Sequence, residues 1–205
     1  TSMDPHSVDS ARHYPIQKGD DYVRSRCYES AQKIYTPAVH PREPFATSRG
    51  MRVSPFYERE VALGGYFMEV AGWERAHGYA ANEPTLLSKY RDQVPTREAE
   101  WDNRHFWEVS NAEQLALSDG VGMINLSHFA IFDVEGADAE SLMEYLSVAK
   151  VGTDTAIGKG VYTHFLDQAG GIRSDLTIIR LATDCFRVVC GGDTGHRDYI
   201  WMRNM

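Results

Sequence analysis

Two residues whose side chains can do acid–base chemistry, Tyr162 and Asp175, lie in a stretch that predicts a β-hairpin. Residues 161–180 read as two alternating strands joined by Gly170-Gly171, and Asp175 enters the second strand just after this turn. An acid at the head of an otherwise apolar strand breaks the pattern, and such breaks concentrate at functional sites. A carboxylate there can act as a general base. An acid that caps backbone amides near the bend explains the same pattern, and the residues by themselves leave both interpretations open.

The elements that must position this pair are helices and strands joined by short turns. Helices are predicted over 20–37, from Ser110 to about Gly120, over 138–146 and from about Asp193 onward, and a short helix followed by a strand over 54–72. Strands are predicted over 129–135, 160–166, 175–181 and 186–190. Short turns between strands favour antiparallel pairing, so the predicted fold class is α+β, with a mainly antiparallel sheet and packed helices.

Two of the helix predictions depend on particular residues. In the first helix, Val23, Cys27, Ala31 and Ile34 recur at helical spacing and form one apolar stripe. In the second, Ser110-Asn-Ala-Glu113 has the signature of a capping box, in which the two side chains close backbone amides at a helix start.

Composition excludes several classes of partner and site. The 205 residues carry a formal net charge of −8, which repels phosphate backbones and makes nucleic acid a poor partner. No apolar run approaches the roughly 20 residues that cross a bilayer. The three cysteines lack the spacing of a disulfide framework, and the eight histidines lack the spacing of a zinc site. We therefore expect free thiols, no metal site and a reducing compartment, which we take to be the cytoplasm.

Several segments resemble a known family in order and spacing. Residues 113–129, 132–139 and 162–177 are similar to the opening half of the glycine-cleavage T-protein (aminomethyltransferase) family. Residues 52–57 and 72–75 look like the region that precedes the folate module in the dimethylglycine and sarcosine dehydrogenases. The most specific part of the resemblance is the spacing from Tyr162 to Asp175 across the two glycines.

The resemblance implies a division of the chain into three parts. Residues 1–75 correspond to the segment preceding the folate module, 76–104 to a linker or inserted loop, and 105–205 to the N-terminal half of a T-protein-like folate-binding domain. The chain therefore looks like a fragment of a longer enzyme.

The resemblance also assigns roles to five residues. Asp175 matches the essential acid that contacts the folate and assists a ring nitrogen in attacking a methylene-iminium group. Tyr162 matches an aromatic position of the pterin site, Phe129 stands where the family often has a methionine touching the folate, and Thr177 points the same way as the acid. Gly191 replaces an asparagine of the T-proteins proper, which favours the dehydrogenase branch. The expected setting for the acid and the phenol is a water-poor cavity, where a carboxylate stabilises a cationic iminium most strongly.

The function implied is transfer of a one-carbon unit from an N-methyl amine to tetrahydrofolate. FAD would enter only through a separate flavin domain, because the chain has no dinucleotide-binding motif. A demethylase of the dimethylsulfoniopropionate type is a related alternative. A second class of alternative is a non-catalytic module that self-associates, because half a fold exposes edge strands and an apolar helix face. We therefore expect either a homo-oligomer or a missing flavin or folate region as partner.

Overall fold

The computed structural model describes residues 13–35, 44–99 and 106–205. Over the described residues the chain forms two compact units: the first lies within Pro15–His128, and the second comprises Phe129–Met205 together with His13 and Tyr14. Each unit contains its own antiparallel sheet. The α+β prediction is confirmed. Among the described residues, no helix is both long and apolar enough to cross a bilayer.

The first unit combines helices with a two-stranded hairpin. Its elements are α1 (Asp20–Tyr35), α2 (Tyr57–Ala62), β1 (Gly65–Val70), β2 (Trp73–Tyr79), the single turn α3 (Ser88–Tyr90) and α4 (Trp107–Asp119). Residues 76–90 of the predicted linker contain the end of β2 and helical turns over 80–90, so this part of the segment is regular structure. Residues 91–99 form turns and irregular chain, and the remainder of the predicted linker lies outside the described residues. The domain division itself stays a prediction.

Two predictions about the helices of this unit need correction. Helix α4 begins at Trp107, so Ser110 lies inside the helix and does not cap it. Glu113 instead accepts hydrogen bonds from the Tyr79 amide at 3.2 Å and from Asn82 Nδ2 at 2.7 Å. A long-range contact has therefore taken the carboxylate that the capping-box signature assigned to a local one.

Helix α1 forms as predicted, but its apolar stripe is exposed. Val23 and Ile34 are 44% and 75% accessible, whereas Arg26 and Glu29 are buried. Arg26 pairs with Glu69 of β1 at 2.9 Å. Polar contacts, and not the apolar stripe, therefore attach α1 to the rest of its unit.

The second unit is a four-stranded sheet with two helices. Its elements follow the order β3 (Ala130–Glu135), α5 (Ala139–Leu146), β4 (Gly160–Leu166), β5 (Ile172–Arg180), β6 (Cys185–Cys190) and α6 (Gly195–Arg203). The strand order is β3-β6-β5-β4, and every neighbouring pair is antiparallel. These bounds agree with the predicted elements to within a few residues.

One face of this sheet carries the core. The stripe predicted for α5 is buried at Ala139, Met143 and Leu146, and it packs on Phe165 and Phe186. Other core residues are Val151, Leu176, Ile178, Val188, Cys190 and Met202. Because α5 and α6 both contribute to this cluster, they cover the same face. Side chains alternate across a strand, so the neighbouring positions project from the other face, which we call the open face.

Candidate functional site

The acid and the phenol singled out in the sequence meet on the open face. In the β4–β5 register Tyr162 lies opposite Thr177, and His164 lies opposite Asp175. This makes Tyr162 and Asp175 diagonal neighbours, a spacing that a long aromatic side chain can bridge. Tyr162 Oη donates a hydrogen bond to Asp175 Oδ2 at 3.2 Å.

The turn explains why Asp175 is free for this contact. Gly170 has a φ of +83°, which favours glycine. Asp167 Oδ1 accepts hydrogen bonds from the amides of Ala169 and Gly171 at 2.9 and 2.8 Å. The acid that caps the bend is therefore Asp167, and the capping interpretation of Asp175 is wrong.

The register gathers the remaining predicted residues around this pair. A row across all four strands joins Tyr162, Thr177, Val189 and Ile131. The last register pairs set Cys190 against both Leu176 and Ala130. Gly191 directly follows the last paired residue of β6, Cys190, and Phe129 directly precedes the first paired residue of β3, Ala130. All five predicted site residues thus lie near the same end of the sheet, and their roles stay predictions.

The expectation of a water-poor cavity does not hold for this pair. Tyr162 is 63% exposed, Phe129 is 39% exposed, and Asp175 is exposed as well. The physical reason is the layering of the second unit, since α5 and α6 pack on the opposite face. Water therefore competes for the Asp175 carboxylate in the structure as it stands.

The electrostatics of the pair fix the direction of the hydrogen bond. Partial desolvation, together with the negative charge and hydrogen bond of Asp175, raises the pKa of Tyr162 above its ordinary value of 10.0. The phenol consequently stays protonated at neutral pH and donates to the acid. The Asp175 carboxylate keeps acceptor capacity for a further donor from a ligand.

Sequence reasoning missed His164, which the structure adds to the site. Its ring meets the Tyr162 ring edge-on, with 5.4 Å between the centroids. Strand alternation could have found it, because His164 lies two positions beyond Tyr162 and so projects from the same face. The search for metal-ligand spacing passed over it.

Sequence reasoning also missed a buried acid beneath the site. Asp198 of α6 is 1% exposed and accepts a hydrogen bond from Ser174 Oγ at 2.8 Å. Ser174 directly precedes Asp175 in β5. An aspartate in the first turn of a polar helix is typical of a solvated position, so nothing in the local sequence marks it as buried.

The titratable residues do not assemble a metal centre in the described ranges. No group of three or more His, Cys, Asp or Glu side chains there could hold a metal ion. The three cysteines are free thiols, of which Cys27 is exposed and Cys190 is buried. The chemistry available at the site is therefore that of the Asp175 carboxylate, the Tyr162 phenol, the His164 imidazole and the Thr177 hydroxyl.

Comparison with protein families assigns most of the chain to one family. Residues 56–205 match the model of the GCVT N-terminal domain. This chain belongs to that family. Residues 1–54 match a second model, the FAD dependent oxidoreductase central domain. The boundary between the two matches falls inside the first unit. Two ion pairs, Arg26–Glu69 and Arg49–Glu74, join residues on either side of this boundary.

Among curated proteins, the relatives of this GCVT-family chain are much longer than it is. It is 31% identical over 99% of its length to 4-methylaminobutanoate oxidase (formaldehyde-forming) of Paenarthrobacter nicotinovorans, covering 23% of that protein. It is 28% identical over 96% of its length to mouse mitochondrial sarcosine dehydrogenase, covering 24%. It is 27% identical over 95% to the mouse mitochondrial pyruvate dehydrogenase phosphatase regulatory subunit, covering 21%. The chain thus spans about a quarter of the length of these relatives.

Among solved structures, the GCVT-family chain is similar to the glycine cleavage system aminomethyltransferase T from Bartonella henselae. The TM-score is 0.54 and the identity is 21%, over 76% of this chain and 35% of that one. At 21% identity, this structural similarity is evidence for the fold alone.

Proposed function

We propose that this chain is part of a folate-dependent aminomethyltransferase or demethylase of the dimethylglycine or sarcosine dehydrogenase type, and that it helps pass a one-carbon unit to tetrahydrofolate. The observation that carries the proposal is the hydrogen bond from Tyr162 Oη to Asp175 Oδ2 on the open face of the sheet. The family match over 56–205 and the relatedness to a sarcosine dehydrogenase support it.

The residues of the open face fit a pterin in chemical type. Tyr162 and Phe129 offer partly exposed aromatic rings on which a flat heterocycle can stack, and Thr177, opposite Tyr162 in the register, offers a hydroxyl. At Gly191 the place of a side chain is taken by Asp193 Oδ1 and Thr194 Oγ1, which lie 3.0 and 3.2 Å from the position that a Cβ would occupy. Asp175 offers an acceptor for N–H groups of the ring.

In the proposed reaction, Asp175 accepts a proton. Tetrahydrofolate, when bound, supplies an aryl amine nitrogen that takes up the carbon unit. Asp175 would take the proton released from this nitrogen, and general-base help of this kind contributes roughly 10²–10⁴ in rate. Tyr162 holds the carboxylate in place through its hydrogen bond. Because the pair is exposed, we propose that another part of the full-length protein covers the open face and excludes water during the reaction.

The remaining components are proposals of the same kind. The substrate class is an N-methylated amine, in keeping with the sarcosine and 4-methylaminobutanoate in the relatives' names. FAD would be held by a flavin domain joined to residues 1–54, the segment that matches the FAD dependent oxidoreductase central domain. We further propose a cytoplasmic protein whose partner is a second copy or the missing flavin and folate regions.

Isothermal titration of the 205-residue chain with tetrahydrofolate tests the proposal. We expect measurable heat with the wild type and binding at least tenfold weaker in Asp175→Asn. Asp133→Asn is the matched control, because it removes the same charge from the same face and should leave affinity unchanged. Absence of heat with folded wild type would refute folate binding by this chain. In the full-length protein, added tetrahydrofolate should suppress release of formaldehyde, the product named for one relative.

A second candidate function is a non-catalytic binding or regulatory module. One relative is named as a regulatory subunit, which favours this alternative. It predicts a stable dimer or larger assembly in sedimentation experiments and no heat with tetrahydrofolate. Binding of tetrahydrofolate that depends on Asp175 would count against it.

A further inference from the structure

Asp198 forms a buried polar cluster on the covered side of the sheet, directly behind the candidate site. Its Oδ2 accepts hydrogen bonds from Ser174 Oγ at 2.8 Å and Thr194 Oγ1 at 3.0 Å, and its Oδ1 accepts from Arg197 Nε at 3.1 Å. The Cys190 thiol is buried on the same side of the sheet, and burial together with the charge and a hydrogen bond of the Asp198 carboxylate raises its pKa.

A buried carboxylate destabilises the fold unless hydrogen-bond donors surround it, so the donors around Asp198 are held in fixed positions. Removing a donor leaves an unsatisfied charge. The pairing therefore fixes the relative positions of the groups that donate to Asp198, whereas an apolar contact would let them slide.

The groups so fixed flank the candidate site. Ser174 directly precedes Asp175 in β5, and the two side chains project from opposite faces of the sheet. Holding the Ser174 hydroxyl from below therefore holds the backbone from which Asp175 rises. The Thr194 amide also donates a hydrogen bond to the carbonyl oxygen of Gly191 at 3.2 Å, and Gly191 directly follows β6, the strand that pairs with β5. Through Ser174 and Thr194, the same acid is thus linked to β5 and to the end of β6.

We propose that Asp198 is a positioning residue that sets the Asp175 carboxylate against Tyr162 and holds the end of β6 at Gly191. Its importance for one-carbon transfer rests on the proposed function above. Its effect on the Tyr162–Asp175 geometry does not, and it is measurable without any ligand.

The first readout is the titration of the Tyr162 phenol, followed by NMR in protein labelled with ¹³C at tyrosine Cζ and assigned with Tyr162→Phe. Asp175→Asn gives the reference for a phenol that has lost its charged partner. We expect Asp198→Asn and Ser174→Ala each to shift the Tyr162 titration at least halfway to that reference. Ser174→Ala changes no charge, so a shift of the Tyr162 titration in this variant reports only a change of position. It removes a single hydroxyl, so the test remains possible if Asp198→Asn does not fold.

Glu29→Gln is the matched control, because Glu29 is also a buried, multiply bonded carboxylate but lies in the first unit. It should lower stability and leave the Tyr162 titration unchanged. An unchanged Tyr162 titration in folded Ser174→Ala or Asp198→Asn would overturn the positioning role. So would an equal shift in Glu29→Gln, since that would report general loosening.

The second readout is tetrahydrofolate affinity, which separates this inference from the proposed function. We expect Asp198→Asn to weaken binding roughly 10- to 100-fold, as misplacement of a site group by about 1 Å does. If the wild type binds no tetrahydrofolate but the variants shift the Tyr162 titration, the proposed function fails and the positioning role stands. If the wild type binds and Asp198→Asn binds equally well, the positioning role fails and the proposed function stands.

Discussion

Glu29 in α1 offers a quantitative test of how the segment after this helix is held. The residue is 8% exposed, and its carboxylate accepts hydrogen bonds from the amides of Ala46 and Thr47 at 2.8 and 2.9 Å. Lys33 pairs with it at 2.9 Å. Burial by itself raises the pKa of Glu29, but the Thr47 hydroxyl, the two amides and Lys33 together outweigh burial and lower the pKa from 4.5 to about 2.

The pKa of Glu29 sets both the size and the pH window of its contribution. Because the folded pKa lies below the ordinary value, the ionised carboxylate stabilises the fold at pH above 4.5. The contribution is lost as the pH falls from 4.5 towards 2. At about 1.4 kcal/mol per pKa unit, the difference corresponds to about 3 kcal/mol in the free energy of unfolding.

This contribution is measured by urea unfolding of the wild type and Glu29→Gln, followed by tryptophan fluorescence. The measurements run from about pH 2.5 to about pH 7, roughly the range over which the contribution changes. We expect the variant to be about 2–3 kcal/mol less stable at pH 7 and the gap to close as the medium is acidified. Glu58→Gln is the control, because Glu58 is exposed in the same unit, and it should change stability by less than about 0.5 kcal/mol. A stability gap that stays constant across the whole pH range would refute the reasoning, since it would mean that Glu29 titrates alike in the folded and unfolded chain.

Three further outcomes follow from burial in the two units. Phe186→Ala should lower the free energy of unfolding by about 3–5 kcal/mol, because Phe186 is fully buried, whereas Ile131→Ala on the open face should cost less than about 1 kcal/mol; urea unfolding compares them. Arg180→Met should speed amide exchange in residues 150–158, measured by mass spectrometry, because Arg180 Nη1 donates to a carbonyl oxygen of that loop at 2.8 Å; unchanged exchange would mean that the loop holds itself. In the folded chain, Cys27 should react quickly with a thiol reagent and Cys190 only after unfolding, because burial raises the pKa of Cys190 and blocks access; fast labelling of both would contradict the packing of β6.

Local patterns in the sequence predicted those features that depend on neighbouring residues. The alternation in β4 and β5, the two glycines between them and the apolar stripe of α5 each constrain only a few adjacent positions. For this reason the hairpin and the core-facing side of α5 were predicted correctly. The capping-box signature at Ser110 failed because a long-range partner of Glu113 outweighed the local one.

What only the tertiary structure decided is the environment of each side chain. Alternation tells which side chains share a face of the sheet, but helix packing decides which face is covered, and this left Asp175 on the open one. Pairing of β3 with β6 and of β6 with β5 brought Phe129 and Gly191, which adjoin the paired ends of β3 and β6, to the same end of the sheet as the acid. Burial of Asp198 and Glu29 depends on donors supplied from other elements, such as Ser174 of β5 and the amides after α1. A charged residue is buried only where the folded chain places hydrogen-bond donors or opposite charges around it, and their positions depend on the fold of the whole unit.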